Sequence, residues 1–578
     1  MRRVPLRILL SALFFALSLS AFALPTGAEE PTLRIGLRYG ASDTATATFV
    51  AGAGASLQAD ASGVALSTSS VGFTVRPFLY GVLVESEPTF AGAQSAAAAL
   101  PTKMGLALGG PGGSSLVLDL PYATSAEAQS AAATDGVSGA EGIGPWGVLI
   151  RGASSLADAE AEAQSLVAGG AVKAALPFFM TNGSWGVLAG LEDTEAEAQA
   201  DLPAVQSAFP TATVRAPTGK EGIVSDGAGG GGFLVAQLNS LSFAGTGDPA
   251  LAGFGGTLYR GSLGVVETSS NLLTVVNSVA MEDYVMGVVP REMPASWPKA
   301  ALEAQAVASR TFALTHIGQF ASQGFDLLPS TVDQVYGGYS AEQPATDEAV
   351  QATAGQIVTY DGQPIQAYFF ADSGGATEDS QNVWVADLPY LQGVDELPGY
   401  QPTTWVKVLS AQTLASLVTQ AGASIGSVVG MVEGGTSQTF SGRPLTLTVR
   451  GTTGSYTVKK DNIRAFLAIR STLFTISTDA EATLLGEGGA VQDSSLQGVT
   501  ILGADGASVT PASGSVSVEG AAQTKTISLI PTTYTLNGRG DGHGVGMPQD
   551  GVHYMAMKGY TYQQILEYYY KGVQIGQM

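Results

Sequence analysis

The chain has 578 residues and carries 26 Lys and Arg against 49 Asp and Glu, which gives a formal net charge of −23. Such an acidic chain is a poor partner for nucleic acids or anionic lipids, because their phosphate groups would be repelled. The absence of cysteine excludes disulfides, zinc–thiolate sites and thiol catalysis. At roughly 150 residues per domain, the length predicts two to four domains.

The N-terminus has the pattern of an export signal. Three arginines precede an apolar run from Ile8 to Leu24, and Ala21-Phe22-Ala23 is typical of a signal cleavage site. The run of about 17 residues is short for a membrane span. We therefore predict that residues 1–24 are a signal peptide or an uncleaved N-terminal anchor. In both cases the body of the protein is expected to be secreted or held at the outer face of the cytoplasmic membrane.

Two regions with different patterns follow. Residues 25–140 contain short alternating segments separated by Thr, Ser and Gly, and this pattern predicts a β-rich region. Residues 141–218 contain a strand–helix unit twice, with a Trp at the start of each strand. The predicted helices, rich in Ala and Glu, cover 155–166 and 194–209, and Pro203 is a helix-breaking residue inside the second.

The repeat resembles the SPOR domain, a module that binds peptidoglycan glycan strands lacking stem peptides. The alternative is a βαββαβ packing module with no ligand. After it, the glycine-rich stretch 226–232 predicts a flexible linker over 219–232. The last domain is then expected to cover 233–578, and the whole chain is predicted to be a multidomain α+β protein.

In the last domain, residues 281–294 are followed by a helix predicted from Lys299 to Ile317. Ser296 is its expected N-cap and Pro298 is expected in its first turn. Arg310 lies in this Ala-rich, apolar helix, on the same face as Glu303 and Val307. The sequence leaves open whether Arg310 contacts a substrate or is a buried hydrogen-bonding hub, since a buried charge must be paired.

Residues 233–578 resemble the SpoIID/LytB family of sporulation and cell-wall proteins. The motifs that carry the resemblance occur in order along the region. They include Tyr284, Gly287-Val288-Val289-Pro290, Glu292-Met293-Pro294, Trp297-Pro298, Ala304-Gln305-Ala306-Val307, Arg310-Thr311, Asp333-Gln334-Val335-Tyr336, Ser373-Gly374-Gly375-Ala376-Thr377, Val383-Trp384, Ser441-Gly442-Arg443 and Gly542-His543-Gly544-Val545-Gly546-Met547.

The resemblance implies a lytic transglycosylase whose catalytic acid is Glu292. One carboxyl group suffices for this reaction, because the sugar's own 6-hydroxyl attacks and gives a 1,6-anhydro product, whereas two-carboxylate hydrolysis needs a second group. The apolar neighbours of Glu292 are expected to raise its pKa. Its expected position just before a helix N-terminus would lower the pKa. The alternative is an ordinary carboxylate flanking a helix.

Other residues of the matched motifs are candidates for substrate binding. They are Arg310, Ser373, His543, Gly544 and Gln549. The glycine-rich loop 538–546 would let the backbone approach a ligand closely. For His543 a structural role is equally compatible with the pattern.

The chain departs from the family pattern near this loop. Asp541 replaces a usual Trp, Phe370 replaces a His, and Pro548 and Asp550 replace a Ser and a Tyr. Some family members bind zinc with Cys and His in this neighbourhood. Because neither residue type is present there, we predict no metal and no cofactor.

The predicted function is cleavage of MurNAc–GlcNAc bonds in glycan strands that lack stem peptides. The alternative is a non-catalytic amidase enhancer that binds cell-wall glycan. Expected partners are peptidoglycan strands and a cell-wall amidase or another sporulation hydrolase, with no nucleic acid. The sequence leaves open whether the protein serves sporulation or ordinary wall turnover.

Overall fold

The computed structural model describes residues 30–578, apart from 53–56, 62–63, 71, 79, 88–103, 110–114, 123, 135–140, 227–231, 385, 486–490, 496–500, 503–507, 510–513 and 520–523. The predicted export signal, residues 1–24, and most of the glycine-rich stretch lie outside the described residues. Within the described ranges, no helix is both long enough and apolar enough to cross a bilayer.

The chain up to residue 280 is mainly β-structure, with α-helices only between residues 125 and 206 among the described residues. The strands are β1 Thr32–Arg38, β2 Ala47–Ala51, β3 Leu57–Ala61, β4 Val64–Ser70, β5 Gly72–Pro77, β6 Tyr80–Glu87, β7 Met104–Gly109, β8 Ser115–Tyr122, β9 Glu141–Ile143, β10 Trp146–Ala153, β11 Ala175–Phe179, β12 Trp185–Glu192, β13 Thr213–Arg215, β14 Gly222–Asp226, β15 Gly232–Val235, β16 Leu241–Gly245, β17 Ala252–Phe254, β18 Thr257–Tyr259, β19 Ser262–Glu267 and β20 Leu273–Ala280. The helices are α1 Ser125–Thr134, α2 Leu156–Ala168 and α3 Glu195–Gln206.

From residue 281 onward, helices alternate with small sheets, so the α+β class is confirmed. The helices are α4 Met281–Glu292, α5 Lys299–His316, α6 Pro344–Ala352, α7 Ser380–Val383, α8 Ala411–Gln420, α9 Asn462–Leu467, α10 Gln549–Met557 and α11 Tyr562–Tyr569. The strands are β21 Gln356–Tyr360, β22 Gln363–Pro364, β23 Phe369–Phe370, β24 Thr404–Ser410, β25 Val428–Gly434, β26 Thr446–Gly451, β27 Ser455–Lys459, β28 Phe474–Thr478, β29 Glu481–Leu485, β30 Val491–Ser495, β31 Ile501–Leu502, β32 Ser508–Val509, β33 Ser515–Glu519, β34 Thr524–Ser528, β35 Thr533–Arg539, β36 Met547–Pro548 and β37 Gln574–Gln577.

The predicted strand–helix repeat folds as β10–α2–β11–β12–α3–β13. β10 lies between β12 and β13, and β11 pairs with the other edge of β12. Ser155 and Thr194 cap the two helices through their side chains, as expected before Ala- and Glu-rich segments. The helix break predicted at Pro203 is wrong, because α3 continues through it to Gln206.

The sheet of the repeat does not end at the repeat. β11 pairs with β15, and the order continues through β14, β5, β2 and β17 to β18, giving ten strands. The sheet therefore contains strands from the predicted β-rich region and from both sides of the glycine-rich stretch, which connects β14 to β15. Strand pairing thus crosses the sequence boundaries predicted at residues 140 and 232.

A second sheet positions the helices that follow. Its strand order is β1-β20-β19-β16-β3-β4, and β20 leads directly into α4. Arg34 of β1 pairs with Asp326 at 2.8 Å, and Leu33 and Ile35 are fully buried in the main core. Burying each such side chain contributes about 2 kcal/mol. The N-terminal strand is therefore an integral support of the α4 segment.

Helix α5 is the central element of the C-terminal half. Its alanines other than Ala300 are fully buried, among them Ala304 and Ala308, so neighbouring elements can approach closely. The predicted span of this helix is confirmed to within one residue at its C-terminal end. Its predicted cap is wrong: Pro298 occupies the N-cap position with extended backbone, and the helix begins at Lys299.

Candidate active site

Glu292 is the last residue of α4. The helix ends there because Met293 adopts extended backbone angles, φ −130° and ψ 140°. Glu292 therefore lies at the negative end of the α4 dipole, which disfavours an ionised carboxylate. This corrects the expectation that a following helix N-terminus would lower the pKa of Glu292, since α5 begins only at Lys299.

Two donors hold the half-buried Glu292 carboxyl group. The backbone N–H of Val335 donates to Oε1 at 2.8 Å, and Nε2 of Gln549 donates to Oε2 at 3.0 Å. Burial raises the pKa of Glu292, while these hydrogen bonds and the charge of Arg291 reduce the rise. The net effect favours a protonated carboxyl group with a fixed orientation, which is what a proton donor requires.

An aromatic stack joins the α4–α5 connection to α10. The rings of Trp297 and His553 are nearly parallel, with centroids 4.3 Å apart and an interplanar angle of 6°. His553 lies one helical turn after Gln549 on α10, so both residues share the face directed at the α4–α5 connection. The sequence indicated Trp297, which belongs to one of the matched motifs, but it did not indicate His553. A single His within a helix forms no motif with its neighbours that would mark it as functional.

The structure places Arg310 in the interior of the protein. Its guanidinium is fully buried and bonds both oxygens of Glu282, with Nε–Oε1 at 2.7 Å and Nη2–Oε2 at 2.6 Å. Nη1 donates to the backbone oxygen of Gln356 at 3.0 Å. Of the two roles that the sequence left open, this geometry corresponds to the buried hub.

His543 has no free ring nitrogen. Nδ1 accepts a hydrogen bond from the Val545 backbone N–H at 3.1 Å, and Nε2 donates to the Phe369 oxygen at 3.0 Å. Burial lowers the pKa of His543 to about 4, so the ring is neutral at physiological pH. These bonds orient the loop and leave no nitrogen for a sugar hydroxyl.

Ser373 and Gly544 belong to a second buried hub around Arg443. Nη2 of Arg443 donates to the Ser373 backbone oxygen at 2.7 Å, and the Ser373 hydroxyl accepts from the Gly375 N–H. Gly544 has φ +92°, and a Cβ there would lie 2.7 Å from the Arg443 guanidinium carbon. Glycine is therefore required for packing at this position. Among the candidates for substrate binding, Gln549 is the one that touches Glu292.

Carboxyl groups outside the predicted set have raised pKa values. Burial raises the pKa of Glu396 to about 7 and that of Asp550 to about 6, and the nearby Asp372 adds to both shifts. The Tyr569 hydroxyl donates to Glu396 at 2.7 Å. A signal for this cluster existed in the sequence, because Asp550 is one of the departures from the family pattern.

Metal-ligating side chains do not gather in the part of the chain that the structure describes. No group of three or more His, Cys, Asp or Glu residues there is arranged to hold a metal ion. Asp541, beside His543, is paired with Arg470 at 2.6 Å.

The fold and the site define an α+β protein with an oriented, half-buried carboxyl group at a helix C-terminus. Residues 269–360, which include β20, α4 and α5, match the family described as Stage II sporulation protein. An uncharacterised protein of Brachyspira hyodysenteriae is 31% identical over 55% of this chain and 73% of its own length. Stage II sporulation protein D of Bacillus subtilis is 28% identical over 52% of this chain and 76% of its own length.

A further relative carries a different kind of name. The protein named Amidase enhancer from Bacillus subtilis is 29% identical over 50% of this chain, which corresponds to 39% of that relative. Taken together, these similarities show that the chain belongs to the SpoIID/LytB family. The names of these relatives refer to sporulation and to the enhancement of an amidase.

Proposed function

We propose that this protein is a peptidoglycan lytic transglycosylase that acts on glycan strands lacking stem peptides, with Glu292 as acid and base. The observation that carries the proposal is the setting of Glu292. It is half-buried at the C-terminal end of α4 and is oriented by Val335 and Gln549. A carboxyl group held in this way is suited to give up a proton and to accept one back.

The proposed reaction uses Glu292 twice. Glu292 first donates its proton to the glycosidic oxygen as the bond from that oxygen to C1 of MurNAc breaks. The resulting carboxylate then accepts the proton of the C6 hydroxyl, whose oxygen forms the new bond to C1. Val335 and Gln549 stabilise the transient carboxylate through their hydrogen bonds. The step needs no water, yields 1,6-anhydro-MurNAc and returns Glu292 to its protonated form.

The stack of Trp297 and His553 supports a sugar ligand. Stacked aromatic rings present a flat apolar surface beside polar edges, which matches the apolar face of a pyranose ring. Both residues are partly exposed, and Gln549 on the same helix face reaches Glu292. We assign this stack to holding a sugar unit next to the bond that is cleaved.

The proposed location and partners follow from the substrate. The N-terminal export signal would place the protein outside the cytoplasm, secreted or at the outer membrane face, where peptidoglycan lies. The repeat module, residues 141–218, would act as a SPOR-like binder of the same strands. A cell-wall amidase would act before this protein, because it removes the stem peptides.

A second candidate function is amidase enhancement without cleavage. The relative named Amidase enhancer is the observation that favours it. In that case the surface around Glu292 and Trp297 binds glycan or the amidase, and Glu292 transfers no proton.

The test is incubation of the purified protein with peptide-free glycan strands in buffer containing a chelator, followed by mass spectrometry. We expect fragments that end in 1,6-anhydro-MurNAc. Fragments with reducing MurNAc ends would instead show hydrolysis, with Glu396 or Asp550 as the first groups to examine. No fragments, together with stimulation of an added amidase, would establish the enhancer.

A further inference from the structure

Part of the C-terminal half carries a charge opposite to that of the chain. Residues 404–478 form strands β24 to β28 and helices α8 and α9, and their buried side chains, with those of β35, make a hydrophobic core of their own. This segment contains 7 Lys and Arg against 2 Asp and Glu, whereas the whole chain has a net charge of −23. At physiological salt, charges separated by more than about 8 Å are largely screened. The local excess of cations therefore decides which ligands this surface attracts.

The sheet β25–β26–β27 has one face in this core and one face in solvent. Leu447 and Val449 of β26 point into the core, so the residues that alternate with them point outward. The outer face of β26 and β27 presents hydroxyl groups and cations in register. They are Thr446, Thr448, Arg450, Ser455, Thr457 and Lys459.

The two cations of this outer face are available to a ligand. Arg450 and Lys459 are exposed, and neither forms an ion pair with the part of the chain that the structure describes. Lys459 lies opposite Thr446, which is four residues before Arg450 on β26, so the two cations are about 13 Å apart along the strands. One small anion cannot contact both, and a ligand that does so must carry at least two separated negative charges.

Hydroxyl groups lie between the two cations. The Oγ1 atoms of Thr448 and Thr457 are 3.0 Å apart across the strands, so one hydroxyl proton joins them and the other is free to bond a ligand. No carboxylate competes on this face, because Glu433 of β25 pairs with Leu447 and therefore points to the other side. The outer face thus offers donors and positive charge without an internal acceptor of negative charge.

The composition of this face distinguishes between classes of partner. A protein partner needs large apolar or aromatic anchors, and Val432 is the one large apolar side chain that the register places here. A single-stranded nucleic acid needs aromatic side chains on which its bases stack, and the nine residues of the face include none. A chain of phosphodiesters without bases fits, because each phosphate is ionised at physiological pH and accepts hydrogen bonds from hydroxyl groups and Arg.

We propose that the outer face of β25–β26–β27 binds a linear polymer of phosphodiesters that carries no bases, with Arg450 and Lys459 contacting separate phosphates. The many equivalent phosphates of such a polymer would favour rebinding of a protein that dissociates. This role goes beyond the proposed function, since it involves neither Glu292 nor the repeat module.

The test is isothermal titration calorimetry of the full chain with poly(glycerol phosphate), at low and at physiological salt. We expect Arg450→Gln with Lys459→Gln to weaken binding about tenfold at low salt, because two charge contacts are lost. The slope of log K against log salt should become less steep by about 1.4, since each phosphate contact with a single strand contributes about 0.7.

Two further variants separate this face from general effects of charge. Thr448→Val with Thr457→Val keeps the charges and the strand propensity but removes two hydroxyl groups, so binding should weaken about threefold with an unchanged salt slope. Arg38→Gln with Lys558→Gln is the matched control, because it removes one exposed Arg and one exposed Lys outside residues 404–478. The control protein should bind the polymer as tightly as the wild type.

Several outcomes would overturn the proposal. They are the absence of polymer binding by the wild type, equal weakening by the control pair, and binding of poly(dT) or of phosphatidylglycerol vesicles at least as tight as binding of the polymer. Cleavage of purified, polymer-free glycan should be the same for the wild type and for Arg450→Gln with Lys459→Gln. Reduced cleavage by that variant would mean that this face holds glycan instead, whereas failure of cleavage in both proteins would leave the polymer result unaffected.

Discussion

The setting of Glu292 suits the role of proton donor that we propose for it. Desolvation and the C-terminal end of α4 both disfavour its charge, while Val335 and Gln549 prevent the pKa from rising further. The balance matters because a general acid works best when its pKa lies near the working pH.

The first prediction concerns the proton of Glu292. Glu292→Gln keeps the shape and most hydrogen bonds but has no proton to transfer, so glycan cleavage should fall at least about a hundredfold. Binding of strands and the melting temperature should change little. Glu303→Gln, on the neighbouring helix, is the matched control. A fully active Glu292→Gln protein would show that another carboxyl group is the acid.

The second prediction concerns Gln549. Its hydrogen bond lowers the pKa of Glu292, so Gln549→Leu should raise that pKa. The proposed reaction requires the protonated acid, so the alkaline limb of the kcat/KM profile should move to higher pH, by about one unit for one charge-assisted bond. The exposed Gln412→Leu serves as control. An unmoved alkaline limb would mean that Gln549 does not act on Glu292.

At the scale of elements, the ion pair between Arg310 and Glu282 joins helices α4 and α5 to each other and to the segment just before β21. Arg310 of α5 holds Glu282 in the first turn of α4, and the Glu282 carboxylate also accepts from the Gly355 N–H at 2.9 Å. The pair connects the start of α4 with the segment that precedes β21. It therefore fixes the helix that ends at Glu292.

The third prediction concerns this pair. Glu282→Gln leaves the fully buried Arg310 without its counter-charge, which should destabilise the protein by about 3 kcal/mol. The melting temperature should fall by at least about 5 °C. Glu303→Gln removes only a weak contact to Lys299 at 4.0 Å and should melt like the wild type. Equal melting temperatures for the two variants would show that the ion pair is dispensable.

At the scale of the whole molecule, buried carboxyl groups determine how stability depends on pH. Burial raises the pKa values of Glu267 and Glu396 to about 7 and those of Asp347 and Asp550 to about 6. Between their unfolded and folded pKa values the folded state binds more protons, so stability falls as pH rises through this range. The pKa of Asp326 is shifted the other way: burial would raise it, but the ion pair and hydrogen bonds with Arg34 lower it overall. The stability that Asp326 contributes is therefore lost as it becomes protonated in acid.

The fourth prediction follows from these signs. The melting temperature should be higher at pH 5 than at pH 8, and it should fall again near pH 3 as Asp326 becomes protonated. Glu267→Gln removes one of the raised groups and should reduce the gain between pH 8 and pH 5. Calorimetry across this range is the measurement. A melting temperature that is highest at pH 8 would show that these carboxyl groups do not have raised pKa values in the folded protein.

Much of the local structure was predictable from the sequence. The two helices of the repeat were identified because Ser155 and Thr194 precede them as caps. Helix α5 was identified from its long Ala-rich pattern. Helix α4 was not predicted, because Gly287 and Pro290 interrupt its helical pattern. As a result, the sign of the dipole effect on Glu292 was wrong.

The sequence by itself determined the family, the position of the acid candidate and the strand–helix repeat, because each depends on residues close together in the chain. Only the tertiary structure decided the partners of Glu292, since Val335 and Gln549 lie 43 and 257 positions away. It also decided that Arg310 is buried and that both nitrogens of His543 are occupied. The physical reason is that burial and hydrogen bonding depend on which distant segments pack together, and spacing along one chain does not specify them.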